Sequence, residues 1–206
     1  MTVRYKSEAE VFRKGTVRYM KILLTSFEPF GGRRTNASFE AMSLVPDRFG
    51  NITIDKKLLP VEFERATAGV RSFIMHGDYD FAVSLGLAAG RKAITPERTA
   101  VNVMDSQAPD NAGYMPHDVP VAEGAPDGYF SMLPIKEMIY AIKNAGAPAA
   151  ISESAGTYVC NAVMFAAIDA AKRTGKTKAG FIHLPPEEIV TPETAAEAIV
   201  ACFLSF

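Results

Sequence analysis

The sequence predicts a single α/β domain, a three-layer α/β/α sandwich around a mostly parallel, twisted sheet. Strand-like and helix-like segments alternate along the chain, and several strands are continuously apolar, which is typical of a sheet covered on both faces. The 206 residues suit one domain, and no segment has the composition of a domain linker. We expect residues 20–206 to form this domain.

Six segments have the pattern of strands and five have that of helices. The predicted strands are KILLTSF (21–27), ITIDKKLLPV (52–61), DFAVSLGLA (80–88), TAVNVMD (99–105), AAISES (149–154) and AGFIHLP (179–185). The predicted helices cover about 37–44, the amphipathic 62–76, 135–145, the segment that carries Cys160, and 192–204. Residues 106–128 are rich in Pro, Asp, Gly and Ala, which predicts a long loop of the kind that is usually functional.

Composition and charge exclude several classes of partner. Apolar residues make up 48% of the chain, charged residues 22%, and the formal net charge is −1, which argues against nucleic acid or an anionic membrane as the main partner. No stretch approaches the roughly 20 apolar residues of a membrane helix. Two cysteines in unlike contexts do not form a disulfide framework, so we expect a cytoplasmic protein.

The first 19 residues differ from the rest of the chain. They are mixed in charge and weakly apolar, without the apolar core of a signal peptide, and their acidic residues fit a transit peptide poorly. We expect residues 1–19 to be an extension, either an expression leader or the product of a start codon assigned too early, with Met20 as the natural beginning. A functional arm is the alternative.

Three residues with catalytic chemistry follow predicted strands. Ligand sites of open α/β sheets form beyond the carboxyl ends of the strands, and this is where Glu97, Cys160 and His183 fall. Cys160 is near the start of a helix, where the helix dipole favours thiolate and free N–H groups can bind an oxyanion. Burial in a core is the alternative for Cys160, as we expect for Cys202, and a satisfied core residue is the alternative for His183.

In a cysteine–histidine–carboxylate set, each residue has a separate task in nucleophilic catalysis. The thiolate, held as an ion pair by imidazolium, attacks a carbonyl, and the carboxylate orients the imidazole. Glu97 is the best-placed carboxylate, with Glu28, Asp105 and Asp110 as competitors, and the other two histidines, His76 and His117, are expected at the surface. No Cys-x-x-Cys or His-x-x-x-His spacing indicates a metal site, and no phosphate-binding glycine loop is present.

Five segments in order resemble one family, pyroglutamyl peptidase I, the pyrrolidone-carboxylate peptidases. They are LLTSFEPFGG, GLAAGRKAITPERTAVN, PDNAG, SAGTYVCN and FIHLP, and the resemblance covers the chain from Met20 onward. It implies a cysteine exopeptidase that removes N-terminal pyroglutamate from peptides through a thioester, needs no cofactor or metal, and forms a homo-oligomer, often a tetramer in microbes. It assigns catalysis to Cys160, His183 and Glu97.

The same resemblance implies a binding slot for the pyroglutamyl ring. Family residues that contact the ring match Phe27, Phe30, Asn36 and Val159. Because the ring is a small uncharged lactam, an apolar slot with a few hydrogen bonds suits it. From the residues alone, ordinary core packing would explain both phenylalanines.

Two departures from the family pattern affect this region, and two other functions stay open. Leu87 replaces a glutamine of many members, and Gln107 replaces an arginine whose charge could steady an oxyanion. Another Cys-His-Glu amidase, such as a glutamine amidohydrolase, is one alternative, although Cys160 lacks the usual Gly-x-Cys-x-Gly elbow. A non-catalytic protein that binds pyroglutamyl groups is the other.

Overall fold

The computed structural model describes residues 19–32 and 34–206. Apart from Tyr19, the predicted N-terminal extension lies outside the described residues. The helices are α1 (Ala37–Leu44), α2 (Phe63–His76), α3 (Ile135–Asn144), α4 (Val159–Thr174) and α5 (Pro192–Leu204). The strands are β1 (Met20–Phe27), β2 (Arg48–Phe49), β3 (Ile52–Leu59), β4 (Phe81–Leu87), β5 (Thr95–Pro96), β6 (Thr99–Val101), β7 (Gly128–Phe130) and β8 (Lys178–Leu184).

A six-stranded sheet forms the middle layer, in the order β2-β3-β1-β4-β8-β5. The four central strands are parallel, and the two short edge strands, β2 and β5, are antiparallel to their neighbours. The pairing of β4 with β8 places Gly86 opposite His183. The carboxyl ends of the central strands therefore meet at one edge, as a parallel sheet requires.

Helices cover both faces of the sheet, which confirms the predicted three-layer α/β sandwich. The side chains of β1 alternate between two apolar clusters, since Leu23 lies in one cluster while Ile22 and Leu24 lie in the other. The first cluster packs under α2 and α4, and the second packs under α1, α3 and α5. Helix α4 is buried along most of its length, which fixes its N-terminal turn against the sheet.

Two predicted strands differ from the structure. Residues 99–105 contribute only β6, which pairs with β7 in a separate two-stranded ladder instead of joining the main sheet. Residues 149–154 form no strand and make only two isolated parallel bridges, to Ile94 and Glu97. The edge position beside β8 is occupied by β5, and the backbone of 149–154 instead hydrogen-bonds to residues 94–98, which include β5.

Candidate active site

Cys160 lies in the first turn of α4, directly over strand β4. A Cβ built on Gly86 would lie 3.0 Å from Cys160 Sγ, so the sulfur rests against a position where only hydrogen fits. Because Gly86 is paired with His183 on the neighbouring strand, the thiol and the imidazole are brought to adjacent strands. The first N–H groups of α4, like those of any α-helix, have no acceptor within the helix, and within the described chain no side-chain hydrogen bond caps them.

His183 and Glu97 form a buried hydrogen-bonded pair. The imidazole Nδ1 is 2.6 Å from Glu97 Oε1, His183 is 5% exposed and Glu97 is fully buried. A carboxylate only accepts hydrogen bonds, so Nδ1 carries the proton and donates it to Glu97. The other ring nitrogen, Nε2, is then unprotonated in the neutral imidazole and is the atom that can receive a proton from the thiol.

Strand β5 delivers Glu97 to this pair from the antiparallel edge of the sheet. The backbone N–H of Glu97 donates to the Phe181 carbonyl on β8 at 2.9 Å, which anchors Glu97 next to His183. The competing carboxylates are elsewhere: Asp110 accepts the backbone N–H groups of Phe63, Ala112 and Tyr114, and Asp105 lies 3.7 Å from exposed His117. The prediction that Glu97 is the partner of His183 therefore agrees with the geometry.

Burial controls the protonation of the three groups. Desolvation, reinforced by the negative charge of Glu97, raises the pKa of Cys160 to about 12, although Arg91 and a backbone N–H oppose the rise. Desolvation also lowers the pKa of His183 against the opposing effect of Glu97. Burial alone would raise the pKa of Glu97, but His183, the Ser152 hydroxyl and Arg91 together lower it.

These shifts favour a neutral thiol, a neutral imidazole and an ionised glutamate, because removal from water penalises the charged forms of Cys160 and His183. Cys160 is nevertheless only partly buried, and the thiolate–imidazolium ion pair expected from the sequence stays a prediction.

A cavity of about 440 Å³ opens directly beside Cys160 and His183, within the size range of small-molecule sites. Its walls are mainly apolar and include all four residues expected to contact the ring, namely Phe27, Phe30, Asn36 and Val159. Phe27 also packs in the core, with its ring 6.3 Å from that of Phe181. Core packing and lining of the cavity are therefore both true of Phe27.

Asn36 has a structural role in addition to its place in the cavity wall. Its side-chain oxygen caps α1 by accepting the Ser38 backbone N–H at 3.0 Å, and its amide nitrogen donates to the Glu28 carbonyl at 3.0 Å. These bonds tie the start of α1 to the turn after β1, where Phe30 lies. One N–H of the amide is left for a ligand.

The two departures from the family pattern fall in different places. Leu87 lines the cavity and makes its wall more apolar than a glutamine would. Gln107 instead lines a neighbouring groove of about 590 Å³, which shares Phe30 and Tyr158 with the cavity. Because Gln107 is not among the residues that line the cavity beside Cys160, the structure gives no support to a role for position 107 in stabilising the oxyanion.

Sequence reasoning missed two residues that position the cysteine, Gly86 and Asn161. Fully buried Asn161 accepts the Val101 N–H at 2.9 Å and donates to the carbonyls of Val101 and Val103 at 2.9 and 3.0 Å. These bonds attach the first turn of α4 to β6 and the residues after it. A polar residue next to Cys160 in the otherwise apolar segment 159–168 of the helix was the available signal, because a buried amide requires partners.

Within the ranges 19–32 and 34–206, no group of three or more His, Cys, Asp or Glu side chains is arranged to bind a metal ion. None of the helices in this part of the chain is long and apolar enough to cross a membrane.

A cysteine at a helix N-terminus, beside a buried His–Glu pair on a parallel sheet, defines an α/β protein of the cysteine hydrolase class. The family model described as pyroglutamyl peptidase matches residues 20–202. The pyrrolidone-carboxylate peptidase of Thermococcus onnurineus is 47% identical over 167 residues, which cover 81% of this chain and 84% of that protein. The enzyme of the same name from Staphylococcus carnosus is 39% identical over 188 residues, 88% of each chain.

Solved structures agree with the sequence matches. Pyroglutamyl peptidase I from Bacillus amyloliquefaciens superposes with a TM-score of 0.86 at 34% identity, covering 91% of this chain and 95% of that chain. The pyrrolidone carboxyl peptidase of Thermococcus litoralis gives a TM-score of 0.84 at 35% identity, with 90% and 92% covered. The chain belongs to the pyroglutamyl peptidase family.

Proposed function

We propose that the protein is a cysteine exopeptidase that removes N-terminal pyroglutamate from peptides. The observation that carries the proposal is the meeting of Cys160 and the His183–Glu97 pair at the wall of one apolar cavity. A lactam ring has no charge to pair, so an apolar slot that contains few polar groups suits it. The names of the relatives in the family support the same substrate class.

In the proposed complex, the pyroglutamyl ring enters the slot between Phe27, Phe30 and Val159. Asn36 is the polar side chain in that part of the wall, and its remaining amide N–H is available to the lactam carbonyl. The scissile carbonyl carbon then lies at Cys160 Sγ. Its oxygen points to the uncapped N–H groups at the start of α4, which stabilise negative charge as it develops.

Acylation follows from the protonation states of the site. The Cys160 thiol passes its proton to His183 Nε2 as the sulfur bonds to the carbonyl carbon, and the resulting imidazolium is stabilised by Glu97. The tetrahedral intermediate collapses, the C–N bond breaks, and His183 returns the proton to the leaving amine. The products of this half-reaction are the shortened peptide and a pyroglutamyl thioester on Cys160.

Deacylation uses the same groups with water as nucleophile. His183 Nε2 takes a proton from water as its oxygen attacks the thioester carbonyl, and the C–S bond breaks. The proton goes to the departing sulfur, which restores the neutral thiol and releases pyroglutamic acid. No step requires a redox change or an additional reactant.

The same proposal includes a cytoplasmic homo-oligomer. Exposed apolar side chains support association between copies, among them Leu44 and Leu204, which are 50% and 67% exposed. The free thiols of Cys160 and Cys202 suit a reducing compartment. Light scattering of the purified protein gives the mass in solution, and a monomer would contradict the oligomer.

Release of aminomethylcoumarin from its pyroglutamyl amide tests the function. We expect turnover by the wild type, none by Cys160→Ser, and wild-type turnover by the control Cys202→Ser, whose thiol is buried in the opposite cluster. Turnover that survives in Cys160→Ser would remove this residue from the mechanism. A wild type that hydrolyses glutamine but not the pyroglutamyl amide would replace the proposal with the amidohydrolase alternative, which nothing in the site favours.

A further inference from the structure

Arg91, in the turn after β4, contacts the His183–Glu97 pair at Glu97. Its Nη1 is 2.5 Å from Glu97 Oε1, the same oxygen that accepts the imidazole Nδ1–H at 2.6 Å. The guanidinium also donates to the Thr95 hydroxyl, and that hydroxyl donates to the His183 carbonyl at 3.3 Å. Arg91 is thus connected to His183 both through Glu97 and through Thr95.

Glu97 depends on this contact more than a surface carboxylate would. The residue is fully buried, and its second oxygen, Oε2, accepts no hydrogen bond from the described residues. The Ser152 hydroxyl is near enough to help lower the pKa of Glu97, but it donates its hydrogen bond to the Ser154 carbonyl at 3.2 Å. An isolated buried carboxylate tends to take up a proton, and a protonated Glu97 would no longer fix which nitrogen of His183 carries hydrogen.

We propose that Arg91 is a positioning residue for catalysis, which acts through Glu97 by keeping it ionised and directing its Oε1 toward His183 Nδ1. The inference rests on the proposed function, and it adds a fourth member to the arrangement of Cys160, His183 and Glu97. Arg91 lines the cavity and its side chain is 26% exposed. Its guanidinium is committed to Glu97 and Thr95 and does not need to touch the substrate.

The charges around the site give Arg91 a second effect in the same direction. The charged or titratable groups that face His183 are Glu97 from the β5 edge, Arg91 from the turn after β4, and Cys160 from α4. Arg91 lowers the pKa of His183 and of Cys160, whereas Glu97 raises both. Arg91 therefore offsets the negative charge that Glu97 would otherwise impose on the attacking thiol.

The test compares Arg91→Gln and Arg91→Lys with Lys92→Gln, which removes an exposed charge next in sequence. With the pyroglutamyl coumarin amide, we expect Arg91→Gln to lower kcat about 10–100-fold, as loss of a supporting hydrogen bond commonly does at metal sites, with KM nearly unchanged. The acid limb of its pH profile should move to higher pH. Arg91→Lys should recover part of kcat, and Lys92→Gln should match the wild type.

A double-mutant cycle separates positioning from structural damage. If Arg91 acts through Glu97, then adding Arg91→Gln to Glu97→Gln should cost less than threefold, far below its effect in the wild-type background. Full additivity, or a wild-type kcat and pH profile in Arg91→Gln, would overturn the proposal. Thermal melting of each variant checks that it is folded. If Arg91→Gln does not fold, Arg91→Lys replaces it in the comparison.

Alkylation by iodoacetamide tests the effect of Arg91 on Cys160 independently of substrate hydrolysis. Arg91→Gln should alkylate at Cys160 more slowly than the wild type at pH 8, because the thiol loses a neighbouring positive charge, while Lys92→Gln should not differ. Peptide mass spectrometry assigns the label to Cys160 rather than Cys202. An unchanged alkylation rate would count against Arg91 even where the wild type hydrolyses nothing, an outcome that would separately refute the proposed function.

Discussion

Substitution of Gly86 by alanine should displace the nucleophile without altering any group that takes part in the chemistry. The new Cβ would lie 2.8 and 2.9 Å from Phe181 Cζ and Cε1, and 3.0 Å from Cys160 Sγ. Since non-bonded carbon atoms are comfortable at about 3.5–4.0 Å, the three atoms must retreat by roughly 0.5–1 Å. Phe181 is fully buried and packs against both Phe27 and His183, so it has little room to yield.

The expected cost follows from that displacement. A misplacement of about 1 Å can cost roughly 100-fold in rate, and we expect Gly86→Ala to lower kcat/KM about 10–100-fold. Overpacking should also lower the free energy of unfolding by about 1–3 kcal/mol, which is measurable by urea denaturation. The two effects are separable because the variant remains folded at assay temperature when the wild type has an ordinary stability margin of about 5–15 kcal/mol.

The assay is initial-rate hydrolysis of the pyroglutamyl coumarin amide, with Gly90→Ala as the matched control. Gly90 is in the adjacent turn, and a Cβ there would meet nothing within 4 Å, so its activity and stability should equal those of the wild type. Adding Phe181→Leu to Gly86→Ala should restore part of kcat/KM by making room for the Cβ. Wild-type kcat/KM in Gly86→Ala would refute the placement of the sulfur against β4.

Two further predictions concern acid stability and the anchoring of α4. In the folded protein the pKa of His183 lies below its ordinary 6.5 and that of Glu97 below its ordinary 4.5. Below about pH 6.5 the unfolded chain therefore binds more protons than the folded chain, and the free energy of unfolding should decrease from pH 7.5 to pH 5. Urea denaturation at both pH values measures this decrease, which should be smaller in His183→Asn over pH 7.5–5.5. Asn161→Ala should lower the free energy of unfolding by about 2–4 kcal/mol, because it leaves the N–H and carbonyl of Val101 and the carbonyl of Val103 without their partner. A decrease below about 0.5 kcal/mol, which is typical of a surface site, would contradict the role of Asn161 in anchoring α4.

Local signals explain how much of the fold could be predicted. Helices α1 and α5 begin where expected because Asn36 and Thr191 cap them with their own side chains. The apolar runs in β1, β4 and β8 indicated strands buried on both faces. Segments 99–105 and 149–154 carried similar β-prone composition, but their partners were decided by distant chain segments, β7 and the edge strand β5, which no local pattern reveals.

The candidate site was likewise predictable only in part from the sequence. The rule that sites gather at the carboxyl ends of parallel strands brought Cys160, His183 and Glu97 together on residue type and order alone. It did not show that Glu97 would lie directly after an antiparallel edge strand, or that Arg91 would also contact its Oε1. Nor could it weigh desolvation, which raises the pKa of Cys160, against the helix dipole, because that comparison requires the depth of burial.

The pyroglutamyl thioester on Cys160 offers the most direct test of the proposed chemistry. Acid quenching of the wild type during turnover of the pyroglutamyl coumarin amide, followed by peptide mass spectrometry, should find one pyroglutamyl group on the peptide that contains Cys160. Cys160→Ala should carry no such group and should not turn over. Undiminished turnover by Cys160→Ala, or a pyroglutamyl group attached to another residue, would contradict the account.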